Sequence, residues 1–411
     1  MQPQFKEYTI VTAAYWAFTL TDGALRMLVL FHFHQLGYGA LAVASLFIFY
    51  EVFGVITNLF GGWLGARFGL NRTLHAGLVL QVLALGMMVV PSAWLSVPYV
   101  MLAQAGSGIA KDLTKMSAKS SIKMLVAHDA QSTLFKWVAI LTGSKNALKG
   151  VGFFLGSLLL STIGFRSAFV ALASLIAIAT LGTWLGLQHD LGRSKAKPKW
   201  QQMFAKSRAI NLLSAARCFL FAARDVWFVV GLPVFLSEVL GWSFWQVGGY
   251  LALWVIGYGL IQALAPQITR RWQATPNGSA ATIFAALLML IMASLASVVQ
   301  INQQSAMVVV VGLIGFGVIF ALNSAVHSYL ILAYTDQADV ALNVGFYYMA
   351  NALGRLLGTI LSGLLYQRYG LVGCLWAAAC LSAITALISL SLPRVPNQLT
   401  SGDQQAKAGS L

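Results

Sequence analysis

Apolar stretches that are long enough to cross a bilayer recur along almost the whole chain. A spanning helix needs about 20 predominantly apolar residues. We predict twelve such segments, near residues 9–31, 41–63, 74–92, 97–119, 134–160, 166–187, 210–236, 245–266, 279–299, 306–332, 340–365 and 371–392. The composition agrees, because only 9% of the 411 residues are charged, whereas ordinary globular domains carry about 25%. The sequence therefore predicts an all-α membrane protein.

A basic polar stretch divides the predicted helices into two sets of six. It covers residues 189–208 and holds six Lys and Arg residues. Two similar six-helix halves are typical of secondary transporters. We predict an N-terminal half at 1–188, a cytoplasmic linker at 189–208, a C-terminal half at 209–393 and a disordered tail at 394–411.

Basic residues in alternate connections predict the orientation of the chain. They are found after the second, fourth, sixth and eighth predicted helices and include Arg67, Arg72, Lys123, Arg270 and Arg271. Because loops rich in Lys and Arg stay in the cytoplasm, we expect both termini to be cytoplasmic. The first apolar stretch is too long for the core of a cleavable signal, so we expect it to remain as a helix in a bacterial inner membrane.

Charged side chains inside the predicted helices are the most informative functional signal. Each costs roughly 2.5–3.5 kcal/mol at the bilayer centre, so several facing lipid would cost on the order of 10–20 kcal/mol. They must therefore face one another or a water-filled cavity. Helical spacing supports this, because three sets each fall on one helix face. These sets are Lys111, Lys115 and Lys119; Lys145 and Lys149; and Arg217 and Arg224.

Bases outnumber acids among these residues. The acids are Asp22, Glu51, Asp112 and Asp225, and Asp22 lies one turn from Arg26, so we expect those two to pair. A remaining surplus of buried cations is tolerable where an anion binds, and Arg grips oxyanions through its planar fork. The sequence therefore predicts a cavity that binds a multiply charged anion, such as a phosphate ester.

The predicted substrate-binding residues are Arg26, Lys111, Lys115, Lys145, Lys149, Arg217, Arg224, Tyr348, Asn351 and Arg355. The acids are candidates for proton coupling, and Glu51 can equally be a structural acid. Lys111 and Lys115 can instead lie at the membrane interface. Structural pairing within the bundle is the alternative for the Asp22–Arg26 pair and for Lys145, Lys149, Arg217, Arg224 and Arg355. Tyr348, Asn351 and Arg355 share a helix face and could instead make interhelical hydrogen bonds. Lys119 and Lys136 lie near predicted helix ends, and we expect them to reach the membrane interface.

Other classes of protein fit poorly. The cations lie in predicted loops and helices, which disfavours nucleic-acid binding despite a formal net charge of +15. The sequence shows no metal-ligand spacing, nucleophile elbow or phosphate-binding glycine loop. We therefore expect neither an enzyme nor a cofactor.

The connection after the second predicted helix resembles a known loop signature. It runs from Gly62 to Arg72 and reads GWLGARFGLNR. This resembles the G-x-L-x-D-R-x-G-R motif of the major facilitator superfamily, although Ala66 replaces the usual Asp and Leu70 replaces the usual Arg. The loss of that Asp casts doubt on the charge-relay latch of the family.

Longer runs resemble one branch of that superfamily, the ArsJ-type organoarsenical efflux permeases. They are YWAFTLTDGALRMLVLFHFHQLGY, NLFGGWLGARFGLNRT, SGIAKDLTKMSAKSSIK, FKWVAILTGSKNALKGVGFFLG and KSRAINLLSAARCFLFAARDVWFVVGLPVFL. The resemblance implies efflux of 1-arseno-3-phosphoglycerate, which conveys arsenate resistance. It also implies a functional partner, the glyceraldehyde-3-phosphate dehydrogenase that makes this compound from arsenate. An organophosphate:phosphate exchanger, or another anion transporter of the superfamily, remains the alternative.

Overall fold

The computed structural model describes residues 3–36, 46, 48–126, 130–187, 207–242, 244–270, 275–301, 306–336 and 339–393. The predicted tail at 394–411 lies outside these residues, as does the predicted linker apart from Ser207 and Arg208. Within the described ranges the regular structure is entirely helical. The all-α prediction is therefore confirmed.

Eleven α-helices make up the described fold. They are α1 (Pro3–Gln35), α2 (Ile48–Phe68), α3 (Leu70–Met87), α4 (Val97–Leu125), α5 (Gln131–Gly186), α6 (Arg208–Phe228), α7 (Gly231–Glu238), α8 (Phe244–Thr269), α9 (Gly278–Ile301), α10 (Ala306–Ala333) and α11 (Val340–Ser389). A short 3₁₀ helix, Ser92–Trp94, precedes α4. Among the described residues, six helical segments are long and apolar enough to cross a membrane, and all six lie after residue 157. Charged residues make the earlier helices less apolar.

Three departures explain how twelve predicted segments become eleven helices. The fifth and sixth segments join into α5 across Gly164 (φ 77°, ψ 173°), and the last two join into α11 across Gly370 (φ 62°, ψ −158°). Only glycine adopts this backbone region without strain, so a single residue separates the two helical segments in place of a loop. The seventh segment breaks into α6 and α7, where Ser362 Oγ accepts hydrogen bonds from Val230 N and Gly231 N.

The expected loop from Gly62 to Arg72 is mostly helical. Helix α2 continues to Phe68, α3 begins at Leu70, and Gly69 (φ 101°) alone separates them. The last turns of α2 pack on α11, where Gly62 approaches Gly345 closely. Ala66, which replaces the usual Asp of the motif, is buried.

Glycine pairs bring helices together in the same way in each half. Gly152 and Gly156 of α5 contact the backbone of α1, and Gly354 and Gly358 of α11 contact the backbone of α6. Both pairs are four residues apart, which is the spacing that permits close helix crossing in membranes. The two halves therefore share one packing motif, as expected for repeats.

The two halves meet close to one face of the molecule, which we call the terminal face because α1 begins and α11 ends there. Tyr329 near the end of α10 donates to Gln131 Oε1 at the start of α5, over 3.1 Å. Within the C-terminal half the Tyr334 hydroxyl donates to the carbonyl of Pro393, and within the N-terminal half Tyr8 donates to the carbonyl of Trp137. Near this face Gly62 of α2 packs on Gly345 of α11. Contacts between the halves thus close the terminal face.

Candidate functional site

The charged residues of the first half gather around Asp112 in α4. Lys115 forms an ion pair and hydrogen bond with Asp112 Oδ1, and Lys111 Nζ lies 3.7 Å from Oδ2. Asp112 is 1% exposed, whereas the two lysines are 12–17% exposed. Two partly exposed cations therefore share one buried carboxylate, which leaves one positive charge in excess.

Tyr50 of α2 connects this group to α1. Its hydroxyl donates to Asp22 Oδ1 over 2.5 Å, and its ring lies 4.3 Å from Arg26 Cζ and 3.8 Å from Lys111 Nζ. The expected ion pair between Asp22 and Arg26 is therefore replaced by a shared contact with Tyr50. The reason is that the tyrosine supplies both a hydroxyl for the carboxylate and a ring face for the cations.

Asp225 of α6 is the corresponding carboxylate of the second half. It is 1% exposed, and its Oδ1 lies 2.5 Å from Arg224 Nη2 while its Oδ2 lies 3.3 Å from Arg355 Nε. Arg355 is on α11, so this carboxylate joins two helices. The guanidinium of Arg224 also lies over the rings of Phe221 and Phe320.

Arg217 of α6 lies deeper in the bundle and is held by neutral groups. Its Nε donates to Asn351 Oδ1 over 2.9 Å, and its Nη1 donates to Ser324 Oγ over 3.0 Å. The Ser324 hydroxyl also accepts from Tyr258 and Gln262. These bonds fix the orientation of the guanidinium and extend its contacts to α8, α10 and α11.

The polar network crosses from one half to the other. Asn146 Nδ2 of α5 donates to Gln262 Oε1 of α8 over 2.7 Å. Lys115 of α4 lies 4.4 Å from the centre of the Tyr348 ring on α11. Lys145 of α5 is within electrostatic range of Lys115 and Arg355. The basic residues of the two halves therefore form one group.

Lys149 completes this group on α5, one turn beyond Lys145. Its electrostatic neighbours include Arg26, Asp22 and Arg355. We use the name cation cluster for the nine basic residues brought together by these contacts: Arg26, Lys111, Lys115, Lys119, Lys145, Lys149, Arg217, Arg224 and Arg355.

Lys119 departs from the sequence expectation. We predicted that it would reach the membrane interface, but it is 1% exposed and lies near the rings of Tyr347 and Tyr348. The cause is that α4 continues to Leu125, well beyond the predicted end at 119. Lys136, predicted to reach the interface in the same way, is exposed.

Exposure within the cation cluster rises with distance from the terminal face. Along α4, which runs towards that face, it falls from 17% at Lys111 to 12% at Lys115 and 1% at Lys119. Arg217, near the start of α6, is 3% exposed, whereas Arg355, farther along α11, is 34% exposed. Solvent therefore reaches the cluster from the face opposite the terminal face.

The described contacts and charge interactions include each predicted binding residue and three of the four predicted coupling acids, with Lys145 and Lys149 placed by charge interactions alone. The side chain of Glu51 lies outside the described residues, so its role stays a prediction. Sequence reasoning missed Tyr50, Ser324 and Gln262, which are uncharged and so give no signal of intramembrane cost. In the described part of the chain, no group of His, Cys, Asp and Glu is arranged to hold a metal.

Two helical halves that enclose a shared charged cluster, closed at one face and reached by solvent from the other, define a membrane transporter. The family comparison agrees, because residues 10–331 match the model of the Major Facilitator Superfamily. The chain belongs to the major facilitator superfamily, and the predicted twelve-helix fold is confirmed.

Solved structures share this fold at low sequence identity. The human organic anion transporter MFSD10 (TETRAN) has a TM-score of 0.75 and 14% identity, covering 95% of this chain and 100% of that chain. The proton:xylose symporter XylE has a TM-score of 0.76 and 15% identity, covering 98% of each chain. A bacterial homologue of the iron transporter ferroportin has a TM-score of 0.71 and 13% identity, covering 93% and 98%. A search of curated protein sequences found no significant match.

Proposed function

We propose that this transporter exports an anionic phosphorylated organoarsenical, 1-arseno-3-phosphoglycerate, and thereby provides resistance to arsenate. The cation cluster carries the anionic part of the proposal. The nine basic residues of the cation cluster stand against four acids, counting Glu51, and Asp112 and Asp225 are each shared by two cations. An anion that bears both phosphate and arsenate would compensate the remaining positive charge.

The identity of the cargo depends on the sequence resemblance. The fold does not select among cargoes, because the titles of its structural neighbours name an organic anion, xylose and iron. The runs that resemble the ArsJ-type permeases contain most of the cation cluster, including Lys111, Lys145 and Arg217. The likeness and the charge therefore support the same class of substrate.

The direction and the coupling are parts of the same proposal. With the terminal face in the cytoplasm, as the basic connections predict, the structure corresponds to an outward-open state of a bacterial inner-membrane exporter. Proton exchange would drive the cycle. Asp22 is the preferred proton carrier among the described acids, because it contacts a tyrosine hydroxyl instead of a cation, so its protonation would break no ion pair.

Expression in arsenate-sensitive cells tests this function. Cells receive the transporter with or without the partner dehydrogenase, and retained arsenic is measured after exposure to arsenate. We expect a loss of cell arsenic only when both proteins are present. Arg224→Gln should abolish that loss, whereas Lys136→Gln, which changes an exposed lysine, should preserve it. Full resistance in Arg224→Gln and Arg217→Gln would overturn the assignment of the cation cluster.

An organophosphate:phosphate exchanger is the second candidate, because the same cations fit phosphate esters equally well. Counterflow in everted vesicles distinguishes the two. Exchange of labelled phosphate that needs neither arsenate nor the dehydrogenase would favour the exchanger.

A further inference from the structure

The end of the cation cluster nearer the terminal face, which we call the inner end, differs in charge balance from the opposite end, which we call the outer end. At the outer end, Asp112 pairs with Lys111 and Lys115, and the other half has a similar carboxylate between two arginines. The inner end consists of Lys119 and Arg217, which are the two least exposed cations of the cluster. Within the described ranges, no carboxylate lies at ion-pair distance from either.

These two inner cations both lie near one aromatic ring. Lys119 Nζ lies 5.8 Å from the centroid of Tyr347, and Arg217 Cζ lies 5.2 Å from the same centroid. Because α4 and α6 belong to different halves, this contact spans the boundary between the halves. Two like charges, one from each half, therefore lie near the same ring and repel each other.

Hydrogen bonding does not compensate Lys119. Among the described residues its buried ammonium has no hydrogen-bond partner, and the ring contacts with Tyr347 and Tyr348 are longer than 5 Å. Cation–π attraction at such distances is weaker than the desolvation penalty of a buried ammonium. The ammonium is therefore poised to bind an anion.

His327 of α10 is a further buried polar group near Arg217. Both ring nitrogens of His327 are buried without hydrogen-bond partners in the described structure, and the ring is within electrostatic range of Arg217. Buried polar atoms normally have partners. Two such nitrogens near an uncompensated arginine indicate a polar binding site.

We propose that Lys119 and Arg217 form an inner oxyanion site that binds the phosphate or arsenate head of the substrate while the terminal face is closed. Arg217 presents an oriented guanidinium, fixed by Asn351 and Ser324, and Lys119 adds a point charge from the other half. The bound dianion links the halves and cancels their repulsion. This inference rests on the proposed function, since it specifies where that anion is held.

Thermal unfolding of the purified full-length protein in detergent tests the inner site. Wild type and Lys119→Met are compared in gluconate buffer and in inorganic phosphate at equal ionic strength, with Lys136→Met as the control. Without phosphate we expect Lys119→Met to unfold at a higher temperature than wild type, because it removes an uncompensated buried charge. With phosphate, the unfolding temperatures of wild type and Lys136→Met should rise by several degrees, and that of Lys119→Met should not.

A second probe separates the substrate's head group from free phosphate. 3-Phosphoglycerate should raise the unfolding temperature of wild type at least as much as phosphate does. A rise with phosphate but not with 3-phosphoglycerate would overturn the assignment of the site to the substrate. A full phosphate shift in Lys119→Met, or in Lys119→Gln should the Met variant fail to fold, would overturn the site itself. Absence of arsenical transport with a Lys119-dependent phosphate shift would refute the cargo and leave the site intact.

Discussion

The contact between Gly62 of α2 and Gly345 of α11 is a point at which one added methyl group should change the conformational equilibrium. A Cβ at Gly62 would lie 2.6 Å from the carbonyl oxygen of Ala341 and 3.0 Å from Gly345 Cα. Both distances are shorter than ordinary van der Waals contact. Because the opposing atoms belong to the backbone, no side chain can move aside, so α2 and α11 must separate in Gly62→Ala.

The methyl group added in Gly62→Ala should destabilise one conformational state more than the other. Inserting a methyl group into a well-packed contact costs about 1–3 kcal/mol. The two helices belong to different halves, so this cost destabilises the state in which the terminal face is closed and is relieved when that face opens. A change of about 1–3 kcal/mol shifts such an equilibrium roughly 5- to 150-fold.

Cysteine labelling measures this shift. Ala325 of α10 is fully buried and lies one turn from Tyr329, which contacts the other half through Phe135. We replace the three native cysteines, introduce Ala325→Cys and follow its reaction with a maleimide. The initial rate should rise by the factor given above in Gly62→Ala.

Gly363→Ala is the matched control, because it lies on α11 and a Cβ there would meet no atom within 4 Å. Its labelling rate should equal that of the parent protein. An unchanged rate in Gly62→Ala, or an equal rise in Gly363→Ala, would refute the inference that close packing of α2 and α11 holds the terminal face closed.

Three further substitutions test the described contacts through the free energy of unfolding. Asp225→Asn should cost about 3 kcal/mol, because it leaves Arg224 and Arg355 without their carboxylate. Adding Arg355→Gln should recover part of that loss. Full stability of Asp225→Asn would contradict the role of Asp225 in joining α6 to α11. Tyr50→Phe should cost about 1–3 kcal/mol by removing the donor to buried Asp22, and a neutral result would mean that water replaces the hydroxyl. Gly370→Ala should lower the free energy of unfolding by about 1–3 kcal/mol through backbone strain alone. Circular dichroism during heating measures this loss, and an unchanged unfolding temperature would contradict the need for glycine at this position.

Hydrophobic runs in the sequence were sufficient to predict the helices, because spanning length is a direct physical requirement of the bilayer. The turns were harder to predict. Gly164 and Gly370 each interrupt a long helix with a single residue of positive φ, and Gly69 replaces a loop that we expected to be longer. These differences are local, since a single glycine with positive φ can do the work of several loop residues.

Charges in the spans were also predictable, but their partners were not. The cost of intramembrane charge identified Lys111 and Arg355, among others, from composition alone. That cost says nothing about neutral groups, so Tyr50 was missed although it contacts both Asp22 and Arg26. Lys119 was misplaced because its burial depends on how far α4 continues, and the boundary of a helix is weakly encoded in local sequence.

Arsenic uptake by everted membrane vesicles tests the central claim most directly. Vesicles containing the transporter receive arsenate, glyceraldehyde-3-phosphate, NAD and the dehydrogenase, so that the unstable organoarsenical forms outside them and enters through their cytoplasmic face. We predict arsenic accumulation that requires the dehydrogenase and is lost in Arg224→Gln. Accumulation from arsenate alone at the same rate, or none in wild type with the complete mixture, would contradict the proposed export of a phosphorylated organoarsenical.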